Sequence, residues 1–386
     1  MPSTHPRPHW LGRTAATALI CVIAACFAWP CVQSHLQAIA ILKLLAGQPA
    51  PWIARSVSSS AVTTSEIQIP SAAGPIRARL YQPVHQPHAP AVVIFHGVHH
   101  LGMDEPRLVS FARAISACGF RVLTPELPGI MDYHVSPQDI TVIGSSTRWM
   151  AQQTGHPVGV IGLSFSGGLA LLAASQPEFA SSFRFVFAIG AHHSLAAVAQ
   201  YYRTGVTSRP DGTTFALPAH EYGPLVLEYA HLEDFIPAAD TAALRPILRA
   251  HLYEDVSAEA IARTHLTPTQ QAEAAMLMDA HCARMQLLLQ QSEARHAGEM
   301  AALSPDGHLQ HLHAAVYLLH GAGDNIIPAP EALWIAQELP PATLKIVLVS
   351  PILSHLDMDG EPQPGWRDTR HLVNLFASTI REAREH

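Results

Sequence analysis

Cysteine is scarce where a folded core would need it. Of five cysteines in 386 residues, Cys21, Cys26 and Cys31 fall in an apolar N-terminal region, which leaves Cys118 and Cys282 for the rest. Two cysteines make at most one bridge, so a disulfide-stapled scaffold is excluded. Basic residues are few: 23 Lys and Arg against 30 Asp and Glu give a net charge of −7. There is no basic run and no interleaving of basic with aromatic residues, the footprint that nucleic-acid binding requires. No G-x-x-x-x-G-K-[ST] or G-x-G-x-x-G stands at the end of an apolar strand, so no nucleotide cofactor is implied. H-E-x-x-H and paired-cysteine spacings are missing too, and the adjacent pairs His99/His100 and His192/His193 would point apart on extended chain. The expectation is a protein without metal, cofactor or nucleic-acid partner.

What is present is a strand, a sharp turn and a helix in fifteen residues, Val158 to Leu172, reading V-G-V-I-G-L-S-F-S-G-G-L-A-L-L. An apolar strand that enters a Gly-flanked serine and leaves through a Gly pair into an Ala/Leu helix is a nucleophile-elbow arrangement. Such an elbow holds its serine in a strained conformation and brings strand and helix so close that positions two either side must be small. Registered on Ser164, those positions are Gly162 and Ser166. Ser166 stands where Gly is usual, and a register on Ser166 itself is the alternative. Ser164 is favoured because Gly162 directly follows the strand and the Gly pair then opens the helix.

Two further residues complete a set. The apolar strand from Ala315 ends in a Gly-rich turn that carries Asp324, and the strand Leu344 to Val349 is followed by His355. Serine, acid and base thus occur in that order, each at the C-terminal end of an expected strand, where open α/β sheets place their sites. Asp357 and Asp359 are rival acids, too near His355 along one loop to orient its ring easily. His96 and His320 sit in strand-end His-Gly turns and read as structural.

On these residues the chain from about Ser65 onward resembles the α/β-hydrolase superfamily, in its serine carboxylesterase-like branches. Ala91-Val92-Val93-Ile94-Phe95-His96-Gly97-Val98 is similar to the family's third strand and its oxyanion turn. The resemblance implies a doubly wound, mostly parallel sheet and a triad of Ser164, Asp324 and His355. It also implies backbone donors to an oxyanion near Val98 and on Phe165, and a small-molecule acyl substrate with no cofactor. The expected activity is ester hydrolysis through an acyl-enzyme. Thioester, lactone or peptide hydrolysis, acyl transfer, or a non-catalytic binding role on the same fold are the alternatives.

The rest of the chain organises around this. Arg7 and Arg13 precede an uncharged run from Thr14 to Trp29 that Pro30 is expected to stop, which reads as a targeting segment. An uncleaved anchor holding the domain outside the cytoplasm, a lipoprotein through Cys26, and a secreted form are the open possibilities. Residues 38–46 would lie on a membrane or pack on the domain, and the Ser-rich stretch 56–65 reads as a linker. The expected division is therefore a targeting segment and linker, 1–55, and a hydrolase domain, 56–386. Within the domain, Ile67 and Arg79 belong to an expected hairpin around Gly74, and Ser136, Pro137 and Asp139 make a box-like helix start. Residues 192–312 are far longer than an ordinary connection and are rich in Ala, Leu, Gln and Glu, so they read as a helical cap. A helix there starts at Thr267-Pro268-Thr269-Gln270 and is expected to run to about Leu303. Tyr201, Tyr202, Tyr222, Phe235, Met276 and Met285 are its candidate pocket residues.

Overall fold

The computed structural model describes residues 9–71, 74–352 and 365–385, with side chains from residue 26 onward. Among the described residues ten strands form: β1 (Val62–Ile69), β2 (Ile76–Pro83), β3 (Ala91–Phe95), β4 (Arg121–Pro125), β5 (Val158–Leu163), β6 (Phe183–Ile189), β7 (Val206–Ser208), β8 (Thr214–Ala216), β9 (Ala315–Gly321) and β10 (Leu344–Ser350). Eight of them make one sheet in the order β1-β2-β4-β3-β5-β6-β9-β10. β2 runs antiparallel to both β1 and β4, and every pair from β4 to β10 is parallel.

Because side chains alternate along a strand, an apolar run buried on both faces feeds two cores. Val93, Phe95, Val160, Val186 and Leu318 pack against the helices Pro137–Thr154, Phe165–Ser175 and Pro330–Glu338. Val92, Ile94, Ile161, Phe187 and Leu319 face the helices Pro106–Ala117 and Trp366–Glu382. The helix Pro137–Thr154 has the expected capping box between Ser136 and Asp139.

The N-terminal segment differs from its reading. The helix His9–Leu45 continues through Pro30. A proline inside a helix costs about 3 kcal/mol, but the turns after it are anchored by the domain. Ala38 and Ile41 are buried against Phe376 and Phe120 in the second core. Gln37 donates to the carbonyls of Val57 (2.8 Å) and Cys118 (2.9 Å), and Arg384 donates to Gln37 Oε1 at 3.0 Å. Residues 38–46 therefore pack on the domain along their first turns, while Leu44 and Leu45 stay exposed. The boundary at residues 55/56 does not coincide with a break in packing. The stretch 56–65 is likewise no free linker, since β1 begins at Val62. Its mostly exposed residues, Thr63 to Glu66 among them, suit an edge strand paired on one side. Among the described residues no helix is long and apolar enough to cross a membrane. The uncharged run from Thr14 lies, up to Ala25, outside the residues whose side chains are described.

Between β6 and β9 the chain inserts the helices Leu195–Thr204, Tyr222–Ala230, Thr241–Leu252, Val256–Arg263, Pro268–Leu277, Ala283–Arg295 and Ala297–Ala302. It has a core of its own, including Leu225, Phe235, Ile247, Leu252, Leu277 and Met285. The insertion also holds the hairpin β7–β8, turned at Pro210-Asp211-Gly212, where Gly212 N donates to Arg209 O at 3.0 Å. One expectation needs correction. The helix from Thr267 has its capping box with Gln270 but ends at Leu277. A turn follows in which Cys282 N donates to Asp279 O at 3.1 Å, and the chain restarts twice before Leu303. Leu277, Met285, Leu289 and Met300, spread over the three short helices, are all buried.

Candidate active site

β5 ends at Leu163 and the helix Phe165–Ser175 begins two residues later, so Ser164 must make the whole reversal. It does so at φ 56°, ψ −130°, a conformation that L-residues rarely adopt and that costs about 1–3 kcal/mol. Bonds on both sides hold it there: Ser164 N donates to Ile189 O at 2.7 Å, and Gly167 N donates to Ser164 O at 2.9 Å. The close approach explains Gly162. A Cβ on it would lie 2.6 Å from Gly167 Cα and 2.7 Å from Ser166 O, both backbone atoms that cannot swing aside.

Ser166 is fully buried beneath this turn. Its Oγ accepts from Leu163 N at 3.0 Å and lies 2.8 Å from Leu163 O and 3.1 Å from Phe95 O as a donor. A hydroxyl so engaged ties the end of β5 to the end of β3. That accounts for a serine where glycine is usual, and it leaves Ser164 as the half-buried hydroxyl of the turn.

The loop after β3 comes up against the same serine. A Cβ on Gly97 would meet Ser164 Cβ at 3.2 Å, so this position can carry no side chain without pushing the serine away. His96 fixes the loop from below. Leu127 N donates to His96 Nε2 at 3.0 Å, which leaves Nδ1 to donate to Gly97 O at 2.8 Å. Burial brings the His96 imidazole down to about 4, so it stays neutral and keeps this tautomer. From the other side Tyr222 donates its hydroxyl to Val98 O at 3.3 Å. The two carbonyls of the loop are thereby engaged. Among the described residues the N–H groups of Val98 and Phe165 have no protein acceptor.

Asp324 follows β9 and is buried. Its Oδ1 accepts from Ile326 N and Ile327 N, both at 3.0 Å. Below it, His320 is fully buried and donates from Nε2 to Ile327 O at 2.7 Å, which fixes the turn. In parallel register Leu163 pairs with Ile189 and Ile189 with Leu319, so the loops after β5, β6 and β9 emerge at one edge of the sheet. The neighbourhood is shared in detail: Phe165, Ile326, Ile327, Tyr201 and Tyr202 form one apolar cluster with Val98 packed against it. Burial, and then the charge of Asp324, push the Tyr201 and Tyr202 phenols up. His355, Asp357 and Asp359 lie outside the described residues; the strand that leads to them, β10, pairs Ser350 with Gly321 beside the Asp324 turn.

The six candidate pocket residues divide. Tyr201, Tyr202 and Tyr222 belong with the cluster around Phe165 and Val98. Phe235, Met276 and Met285 belong to the insertion's own core. Of the paired histidines, His192 and His193 diverge, one toward Leu303 O (2.9 Å) and the other toward Glu338 Oε2 (2.7 Å). His99 and His100 do not diverge: they stack at 4.7 Å because the chain there is a turn rather than a strand. Sequence reasoning missed Glu331, a buried carboxylate that accepts from His193 N and Ser194 N and pins the start of the insertion. Nothing local marks it, since its partners are about 140 residues away.

No protein-family model and no curated protein matches the sequence. Solved structures do. An esterase from Pyrobaculum calidifontis aligns over 90 % of both chains at 16 % identity and a TM-score of 0.46. The acylaminoacyl peptidase of Pyrococcus horikoshii covers 82 % of this chain and 40 % of its own, at 11 % identity and a TM-score of 0.46. The 2-hydroxy-6-oxo-6-phenylhexa-2,4-dienoate hydrolase of Rhodococcus sp. strain RHA1 covers 83 % of this chain and all of its own, at 16 % identity and 0.42. Such distant likenesses carry no chemistry across. The sheet itself, eight strands with the second reversed and a strained serine after the central β5, gives this chain the α/β-hydrolase fold.

Proposed function

We propose that the protein is a serine hydrolase that cleaves a carboxylic ester through an acyl-enzyme on Ser164. The observation that carries this reading is the positive φ of Ser164 at the strand-to-helix reversal. Strain at a non-glycine residue persists where the surroundings over-determine it, and here they do so to present one hydroxyl.

The roles follow from chemistry. His355 takes the proton from Ser164 Oγ as it attacks the ester carbonyl, and Asp324 holds the imidazole tautomer and stabilises the imidazolium. The N–H groups of Val98 and Phe165 receive the oxyanion, and their lack of described protein acceptors supports that role. Collapse of the tetrahedral species returns the proton from His355 to the leaving alcohol. Water, deprotonated by His355, then attacks the acyl-enzyme, and collapse of this second tetrahedral species breaks the Ser164 ester bond, returns the proton from His355 to Ser164 Oγ and releases the acid. The insertion acts as a cap, with Tyr201, Tyr202 and Tyr222 lining the acyl or alcohol pocket beside Phe165 and Val98. The N-terminal run from Thr14 to Trp29 serves as a membrane anchor that holds the domain outside the cytoplasm. Two bulky exposed side chains at its end, Phe27 and Trp29, support that placement.

The test is labelling of the full chain with a fluorophosphonate probe, beside Ser164→Ala and Ser166→Ala. Labelling is expected in the wild type and in Ser166→Ala and lost in Ser164→Ala, whose turnover of esters should fall ~10⁴-fold or more. Loss only in Ser166→Ala would move the nucleophile. An unlabelled, well-folded wild type would make the protein a binding module on a hydrolase fold. A panel of esters, thioesters, lactones and aminoacyl amides then separates the acyl chemistries.

A further inference from the structure

A second cluster of chemistry-bearing side chains lies in the insertion. His231 follows the helix Tyr222–Ala230, His296 ends the helix Ala283–Arg295, and Glu299 sits on the helix Ala297–Ala302. All three are half-buried, and one ligand atom from each lies within 4.8 Å of the others. The two imidazoles stack at 3.6 Å between centroids, 17° from parallel. Glu299 Oε2 is 3.5 Å from His296 Nδ1 and 4.0 Å from His231 Nε2. Ligand atoms around a tetrahedral zinc ion, at about 2.0–2.2 Å from the metal, are separated by roughly 3.3–3.6 Å, so His296 and Glu299 stand at coordination spacing, and His231 would reach it by turning its ring out of the stack.

The orientation of His296 adds a second argument. Its Nε2 is 2.9 Å from Asp234 Oδ2, and that carboxylate is also bonded by Arg295 and by Ser292 Oγ. Nε2 therefore donates to Asp234, and Nδ1 faces the Glu299 carboxylate. A metal ion between the two would engage both, as a proton on Nδ1 also would. A carboxylate behind the imidazole is also how metal-ligating histidines are held in a fixed tautomer. The contrast with His193, Asp306 and Glu338, which also lie close together, is instructive. There Glu338 already bonds His193 Nε2, Leu309 N and Gln310 Nε2, and Asp306 is exposed, so the donors are spent on one another.

We propose that His231, His296 and Glu299 form a binding site for a divalent transition-metal ion, with zinc the ion that fits an N₂O set of borderline ligands. The ion closes three separate elements of the insertion on one another. A fourth position is left for water or for His134, whose ring stands edge-on 6.1 Å from that of His231. His134 lies between β4 and the helix Pro137–Thr154, so its participation would tie the insertion to the sheet domain. The role is structural and is independent of the esterase reading.

The experiment is calorimetric titration of Zn²⁺ into the chelator-treated full chain. His231→Ala, His296→Ala and Glu299→Gln are run beside it, with His193→Ala as a control for the remaining histidines. Thermal unfolding is followed with and without Zn²⁺. The expected result is one site of micromolar Kd or tighter that each of the three variants weakens at least ~10-fold and His193→Ala leaves alone. The metal should raise Tm in the wild type and not in the variants. Glu299→Gln preserves shape, so it decides the matter should the histidine variants unfold. Binding unchanged in Glu299→Gln, or no binding by the wild type beyond that of the variants, would overturn the proposal. Fluorophosphonate labelling is expected to survive Glu299→Gln, which separates failure here from failure of the catalytic reading.

Discussion

Glu228 is fully buried on the helix Tyr222–Ala230, and neither carboxylate oxygen has a hydrogen-bond partner among the described residues. Burial pushes its carboxyl up to about 8 from an ordinary 4.5. Between those two values the folded chain keeps a proton that the unfolded chain releases, so this residue costs stability progressively as pH rises from about 4.5 to 8. Glu228→Gln removes the linkage. Its Tm should match the wild type near pH 5 and exceed it at pH 8, where the stability gained is up to about a few kcal/mol. Equal Tm shifts at both pH values would show that the carboxyl is not the titrating group. The same scale shows why some residues were legible and others not. Gly162 and Ser164 announce themselves because a close approach and a strained turn restrict residue type. Glu228 reads as one more polar residue on a helix, since only the packing around it makes it unusual.

Among elements, the ends of β3 and β5 are joined through one side chain. Ser166→Ala would leave Leu163 N without its Oγ acceptor and remove the donor to Phe95 O and Leu163 O. A loss of about 1–3 kcal/mol is expected, with probe labelling of Ser164 retained. Chemical denaturation of the variant measures the first part, and unchanged stability would mean that the hydroxyl contributes nothing to the junction. The element pattern itself was readable: strands of the right apolar run, a capping box at Ser136, a hairpin at Gly74. The insertion was read least well. Its helices are broken by turns at Asp279 and His296, and periodicity over 35 residues does not reveal where a rod bends.

For the molecule as a whole, the N-terminal helix is the largest departure. Its residues 34–41 fill the space between the helices Pro106–Ala117 and Trp366–Glu382. A chain begun at residue 31 should keep the stability of the domain. One begun at residue 56 gives up burial of Ile41 and the bonds of Gln37 and should lose on the order of 4 kcal/mol. Thermal unfolding of the two truncations compares them directly. Identical Tm values would show that the helix merely rests on the surface.

The sequence alone determined the alternation of strands and helices, the elbow and the order of its candidate triad, because each depends on local constraints: apolar period, small residues at a tight turn, caps. Tertiary structure decided what no neighbour in sequence could. It committed Ser166 to the β3–β5 junction, seated residues 34–41 on the domain, and divided the tyrosines beside Phe165 from the methionines of the insertion core. It also brought His231 and His296 face to face. Those outcomes rest on contacts between residues tens to hundreds apart, where packing and paired hydrogen bonds set the choice and local pattern is silent.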